Sequence, residues 1–264
     1  MMKIIWLIFI LVITQATEQI QAQEKSKIHF SLLGGVNSSK ISLKSLSYST
    51  PLNGNINIDV GSESSFGSRV SFYAGLKAEY ELTSSLSLGS GISIENTGFT
   101  ESYGKNVYIR GSGIFDSISG KDVIKLTYIT APLHLIFYGS LKRSRIYLGV
   151  GGYLSYGLTG TNNVYISSSS IVNVSDSITI ISFSSDKNIK GISYRGNRWD
   201  YGVSIIGGIQ FRNRFFIQGG FDAGMANILK DRFVVYDGTG KNVAYNYDNK
   251  KRMFKLGIGY ILNK

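Results

Sequence analysis

Cysteine is absent from the 264-residue sequence, and proline occurs only twice. Without cysteine the chain can form neither disulfides nor thiolate metal sites. Two prolines against 31 glycines suit long strands better than a loop-rich secreted scaffold. Beyond the N-terminal region no run of about 18 consecutive apolar residues occurs, so the sequence predicts no transmembrane helix there. Phosphate-binding loops, metal-ligand clusters and nucleotide-binding motifs are absent as well.

The N-terminus has the pattern of a secretory signal. Met1, Met2 and Lys3 precede an apolar run over residues 4–13, and a polar stretch leads to the small residue Ala22. A positive start, an apolar core of about 10 residues and a small residue before the cut are typical of a signal peptide. The alternative, a membrane anchor helix, needs about 20 apolar residues. We therefore predict a cleaved signal peptide over residues 1–22 and one domain over residues 23–264, which is free in the periplasm, secreted, or inserted in the outer membrane.

Hydrophobic alternation with a period of two is the main signal in the rest of the chain. In AGLKAEYELTSSLSLGSGISIE, residues 74–95, apolar side chains alternate with glycine, serine and charge on both sides of a short polar break. This pattern predicts an antiparallel hairpin. The same alternation recurs along the chain and gives eight predicted strands. Pro132 lies inside the fourth of them and lacks an amide donor, so it predicts a bulge or a local break in pairing.

The connections between the predicted strands alternate in length. Long segments over about residues 41–69, 97–122, 159–197 and 227–251 alternate with short turns at 83–85, 139–144 and 212–214. Outer-membrane barrels have short periplasmic turns, long extracellular loops, and spanning strands of about 9–11 residues with an apolar outer face. The sequence therefore predicts an all-β fold, an eight-stranded antiparallel up-and-down transmembrane β-barrel with four long extracellular loops and periplasmic termini. We also expect a projecting hairpin within the third long loop.

The two faces of the predicted strands differ in chemistry. Aromatic residues near strand ends fit interfacial girdles, namely Tyr80, Tyr138, Trp199, Phe215 and Tyr260. An eight-stranded barrel is just wide enough for side chains to fill it, and charges in a confined interior must be paired. We therefore expect a plugged polar lumen, in which Asp222 and Lys255 approach closely; the alternative is a proton or solute path. The predicted lumenal residues are Lys77, Glu79, Glu95, His134, Arg145, Asp200, Gln210, Gln218, Asp222 and Lys255.

Five stretches together resemble one known family. They are SLLGGVNSS, YITAPLHLIFY, IYLGVGGYLSYGL, WDYGVSIIGGIQF and KLGIGYIL, in this order over about residues 28–262. In order and spacing they resemble the PorT-like outer-membrane β-barrel family of the Bacteroidota. The resemblance implies an eight-stranded barrel in the outer membrane of a Gram-negative bacterium. It implies little about activity, because most relatives have none assigned.

One short motif bears on enzymatic activity. His29-Phe30-Ser31 places His29 and Ser31 on one face of a strand, which resembles the pair in outer-membrane lipid A deacylases. An activated serine also needs a group that orients the histidine, and the sequence identifies no acid beside the pair. The sequence therefore predicts a non-enzymatic protein with no catalytic, cofactor-binding or metal-ligating residues and no cofactor. A lipid A-modifying enzyme and a small-solute channel are the alternatives.

The formal net charge of +11 indicates which partners the protein attracts. An exported protein rarely meets nucleic acid, so the expected partners are outer-membrane lipid and the phosphates of lipopolysaccharide, or else an acidic extracellular ligand or an envelope protein. We expect a monomer. The predicted exterior cations include Lys187, Lys190, Arg195, Arg198 and Lys250-Lys251-Arg252.

Overall fold

The computed structural model describes residues 27–42, 48–52, 56–60, 65–109, 114–168, 177–180, 194–236, 242–245 and 249–263. The predicted signal peptide, residues 1–22, lies outside them. Within the described residues no helix has the length and apolarity that crossing a bilayer requires. The described strands are β1 (Ile28–Ser42), β2 (Tyr48–Leu52), β3 (Ile56–Val60), β4 (Ser65–Thr83), β5 (Leu86–Ile109), β6 (Ile114–Leu141), β7 (Ser144–Ser168), β8 (Ser177–Ile180), β9 (Tyr194–Gly196), β10 (Trp199–Phe211), β11 (Phe215–Asn227), β12 (Leu229–Tyr236), β13 (Asn242–Tyr245) and β14 (Lys250–Ile261).

Eight of these strands form a closed antiparallel ring. The order is β1-β4-β5-β6-β7-β10-β11-β14, and β14 pairs back with β1, for example at Leu256 opposite Val36. Consecutive ring strands are neighbours, so the topology is up-and-down. Closure leaves no sheet edge, which a bilayer requires because it offers no water to unpaired backbone groups. The predicted eight-stranded barrel is confirmed.

The outer face of the ring is an apolar belt. Its large side chains are strongly exposed, with Phe72 at 70 % and Ile258 at 62 %. The predicted apolar face of the fourth ring strand, which carries Leu133, Leu135 and Phe137, points outward in the same way. Exposed apolar side chains on every ring strand would be unfavourable in water but match the hydrocarbon of a membrane.

The two ends of the described chain, residues 27 and 263, lie at one end of the barrel. The Phe30 amide donates to Asn263 Oδ1 at 2.6 Å, and the Leu262 amide donates to the Phe30 carbonyl at 2.8 Å. The short turns between β4 and β5, β6 and β7, and β10 and β11 are at this end, which is the periplasmic end of barrels of this type. The long connections are at the opposite, outer end.

The outer parts of several strands differ from the prediction. β5, β6 and β7 have 24, 28 and 25 residues, so much of the predicted loop over 97–122 is strand. Beyond the bilayer neither face needs to be apolar, so the ladder continues there without the alternation that marks a spanning strand. In the third long loop, β8 pairs with β7 from Thr161 opposite Ile180 to Val164 opposite Ser177, as expected for a projecting hairpin.

Pro132 interrupts one ladder without shifting it. The pairing of β5 with β6 runs up to Ser90 opposite Leu133 and resumes at Ser93 opposite Thr130 in the same register. The Ser90 hydroxyl donates to the Pro132 carbonyl at 2.9 Å. The predicted break in pairing is therefore present, and no bulge accompanies it.

Candidate functional site: the lumen and the two ends of the barrel

The centre of the lumen holds a buried cluster of one cation and two carboxylates. Lys255 Nζ lies 2.6 Å from Glu95 Oε1 and 2.7 Å from Asp222 Oδ2. Hydroxyl groups complete the cluster: Ser204 donates to Asp222 Oδ1 at 2.6 Å, and Ser93 donates to Glu95 Oε1 at 3.0 Å. The predicted close approach of Asp222 and Lys255 is confirmed. In a confined interior this lysine offsets two charges that would otherwise be costly.

A second ion pair lies in the outer half of the lumen. Lys251 Nζ is 2.6 Å from Asp200 Oδ2, and both side chains are buried. Tyr153 donates its hydroxyl to the same carboxylate oxygen at 3.1 Å, while its ring centroid lies 4.7 Å from Lys251 Nζ. The prediction that Lys251 is an exterior cation is wrong. Lys251 is four residues before Lys255 on the same strand. Because side chains alternate between the two faces of a strand, both lysines point into the lumen.

The periplasmic half of the lumen has its own polar layer. Lys77 Nζ lies 3.1 Å from Glu79 Oε2, and Tyr138 donates its hydroxyl to Glu79. The Arg145 guanidinium lies 4.3 Å from the centroid of the Tyr138 ring and donates to the Ser84 carbonyl at 2.8 Å. The prediction that Tyr138 belongs to an interfacial girdle is therefore wrong, because its position on β6 turns it inward.

The other predicted girdle aromatics behave differently. Tyr80, Trp199 and Phe215 are exposed on the outer face. The Trp199 ring packs edge-on against Tyr156 at 4.9 Å between centroids, and Phe215 packs against Tyr260 at 5.0 Å. These two pairs lie at opposite ends of the apolar belt, where amphipathic rings meet both hydrocarbon and headgroups.

Two apolar clusters alternate with the polar layers. One joins the periplasmic half to the centre and contains Ile136, Tyr147, Ile206, Phe216 and Ile261. The other closes the outer half and contains Ile41, Phe99, Ile124, Leu126, Tyr128 and Ile228. Phe216 lies so close to Gly259 that a Cβ there would be 2.0 Å from its ring. The interior is thus filled in layers, as expected for eight strands.

Small cavities remain between these layers. A central one of about 60 Å³ is lined by Tyr73, His134 and the Lys255 cluster, and a periplasmic one of about 60 Å³ is lined by His29, Glu79 and Arg145. Two polar atoms that border the central cavity, the Tyr73 hydroxyl oxygen and His134 Nε2, have no hydrogen-bond partner among the described residues. The apolar cluster around Phe216 borders both cavities. The ten predicted lumenal residues all face this interior.

The His29-Phe30-Ser31 motif opens into the periplasmic cavity. His29 Nε2 lies 3.6 Å from Glu81 Oε2, so an acid does stand beside the histidine, which sequence reasoning missed. Glu81 is on β4, and only the pairing of β1 with β4 brings the two together. An activated serine needs its hydroxyl about 2.6–3.2 Å from the base, and within the described chain no hydrogen bond joins Ser31 to His29. The described residues also contain no group of three acidic or histidine side chains that could hold a metal ion.

Known proteins of similar shape are small outer-membrane barrels. Neisserial surface protein A shares 13 % identity at a TM-score of 0.35, covering 88 % of this chain and 96 % of that chain. OprG from Pseudomonas aeruginosa shares 12 % at 0.38, covering 91 % and 98 %. The outer membrane protease OmpT from Escherichia coli shares 12 % at 0.35, covering 89 % and 96 %. These low scores carry no argument about function.

The sequence comparisons give the family. No curated protein sequence matches the chain. A family model described as "outer membrane protein beta-barrel domain" matches residues 19–230, most of the chain. That match agrees with the closed ring and the apolar belt. The chain therefore belongs to the outer membrane protein β-barrel domain family and is a protein of the outer membrane of a Gram-negative bacterium.

Proposed function

We propose that this barrel is a non-enzymatic, monomeric envelope protein of the PorT-like group that acts through its basic outer surface rather than through its lumen. The expected partner is the phosphate of lipopolysaccharide, with an acidic extracellular ligand or an envelope protein as the second candidate. The filled lumen supports this proposal, because two ion-pair clusters and two apolar clusters occupy the path that a solute would take. The PorT-like assignment rests on the resemblance of five sequence stretches.

One pair of residues carries the argument for an anionic partner. Lys40 on β1 and Arg252 on β14 are directly opposite each other, and both are exposed on the outer face. Their strands continue inward to Val36 and Leu256 of the apolar belt, so the pair lies just above the hydrocarbon. Like charges directly opposite in a sheet are destabilising. A bound phosphate at the level of the outer headgroups removes that cost.

The sorting of charges near the outer end agrees with this reading. Lys121, Lys125 and Lys250 are exposed, whereas the carboxylates Glu101 and Asp122 face inward and are almost fully buried. The described outer surface therefore presents mainly cations. Such a field attracts polyanions, and the attraction falls as salt shortens the Debye length to about 8–10 Å.

A binding titration with purified lipopolysaccharide tests the proposal. We expect K40Q/R252Q to bind lipopolysaccharide at least roughly tenfold more weakly than the wild type, as loss of charge-assisted hydrogen bonds implies. The control K27Q removes an exposed cation at the periplasmic end that lies outside both proposed phosphate sites, and it should leave this affinity unchanged. Equal affinity of K40Q/R252Q and wild type would refute the phosphate assignment.

The enzyme alternative has its own test, since His29 and Glu81 approach each other. Purified wild type and H29A should both leave the acyl chains of lipid A intact, as mass spectrometry of the lipid would record. Deacylation by the wild type that disappears in H29A would establish the enzyme instead.

A further inference from the structure

A cavity lies between two turns at the periplasmic end of the barrel. It has a volume of about 170 Å³ and is formed by the turn between β6 and β7 and by the end of β10 with its following turn. Four cations line it: Lys142, Arg143, Arg145 and Arg212. Its lining contains no carboxylate. This feature is at the opposite end of the barrel from Lys40 and Arg252.

Three of the four cations are not neutralised within the described chain. Arg145 contacts Tyr138 and the Ser84 carbonyl. Lys142, Arg143 and Arg212 are exposed, and none of them has a hydrogen bond or an ion pair with another described residue. Several like charges around one cavity repel one another, and a bound anion would reverse that energy. Arginine in particular presents a fork of donors that matches a phosphate group.

The position of the cavity favours a membrane lipid over a free anion as its ligand. At the cavity, β7 and β10 pair at Ser144 opposite Phe211 and at Arg145 opposite Gln210. The next pair along these strands, toward the middle of the membrane, is Ile146 opposite Ile209. Ile146 and Ile209 are exposed on the apolar belt. Leu141 and Phe211 are exposed as well and line the cavity itself. The basic site therefore continues directly into the lipid-facing wall, so a ligand with both a phosphate and acyl chains fits its two parts.

We propose that this cavity binds the phosphate headgroup of a phospholipid in the inner leaflet of the outer membrane, one with a net negative headgroup such as phosphatidylglycerol. The phosphate oxygens accept hydrogen bonds from Arg143 and Arg212, and the acyl chains lie along Ile146 and Ile209. A headgroup that carries its own ammonium is disfavoured, because the exposed cations Lys142, Arg143 and Arg212 already surround the site. This inference concerns a different ligand and a different end of the barrel from the function proposed above.

Native mass spectrometry of the folded barrel in a phosphate-free maltoside detergent tests the site, with dioleoyl phosphatidylglycerol as the probe. We expect the wild type to retain one such lipid and K142Q/R143Q/R212Q to bind it at least roughly tenfold more weakly. The matched control K27Q/K121Q/K125Q removes three exposed cations that belong neither to this cavity nor to the Lys40–Arg252 pair, and it should bind like the wild type. Heat-modifiable mobility on gels verifies that each variant is folded.

Two further arms use the wild type alone and so do not depend on how a variant folds. Dioleoyl phosphatidylcholine should bind at least roughly tenfold more weakly than phosphatidylglycerol, and equimolar inorganic phosphate should not displace the lipid. Equal retention by the periplasmic triple variant, equal binding of phosphatidylcholine, or displacement by inorganic phosphate would each overturn the proposal. None of these results bears on lipopolysaccharide binding at the outer end, so the two proposals fail separately.

Discussion

The central cluster of the lumen predicts a large and specific effect of one substitution. Lys255 is the cation shared by Glu95 and Asp222, at 2.6 and 2.7 Å. Lys255→Met keeps a long unbranched side chain but removes the charge. Both carboxylates then remain in the lumen, 2 % and 3 % exposed, without their cation. Packing is nearly conserved, so the substitution isolates the electrostatic contribution.

The expected loss can be estimated from the geometry. Removing one partner of a buried ion pair costs about 3–5 kcal/mol, because an uncompensated charge stays behind. Here two carboxylates lose their partner, so we expect the upper part of that range. Replacing the whole cluster by neutral groups of similar size, in E95Q/D222N/K255M, should restore most of the stability, since neutral groups do not carry the cost of an unpaired charge.

Urea unfolding of the barrel reconstituted in phospholipid vesicles measures these free energies, with the folded fraction read from heat-modifiable mobility and the free energy from linear extrapolation. K142M serves as the control, because Lys142 is exposed and a surface change of this kind stays within about 0.5 kcal/mol. A K255M barrel within about 1 kcal/mol of the wild type would refute the reasoning. So would a neutral triple variant as unstable as K255M, because the loss would then not come from unpaired charge.

Three further predictions follow from the packing and the surface. Gly259→Ala should lower the free energy of unfolding by about 1–3 kcal/mol in the same assay, because its Cβ would meet the Phe216 ring at 2.0 Å, whereas a Cβ at the control position Gly219 meets nothing closer than 3.9 Å. Planar-bilayer recordings of the wild type should show no large, stable channel, since layered side chains fill the lumen; porin-like conductance would contradict this. Binding to lipopolysaccharide should weaken steadily as the salt concentration rises, and an affinity independent of salt would exclude an electrostatic contact.

The sequence alone determined the architecture of the membrane-spanning part. Successive side chains of a strand point to opposite faces, so a period of two assigns each residue to lipid or lumen wherever one face is apolar. For this reason the eight strands, the outward face of β6 and the inward position of Glu95 and Asp222 could be read directly. The same alternation places Tyr138 and Lys251 in the lumen, as the structure shows. They were misassigned because one was judged by its aromatic ring and the other by its neighbouring cations.

The tertiary structure decided how far the strands extend and which side chains contact each other, because hydrophobic alternation does not determine either. The strands β5, β6 and β7 extend far beyond the bilayer, where no apolar face marks them. The partner of Lys255 across the lumen, Glu95, is 160 residues away and on a strand that is not its neighbour in the ring. Likewise, the approach of Glu81 to His29 and the gathering of Lys142, Arg143 and Arg212 around one cavity depend on register. The physical reason is that alternation along a strand fixes which face of the sheet a side chain occupies. Closure of the ring and the stagger between its strands fix the position of that side chain along the barrel axis, and a contact between two side chains depends on both.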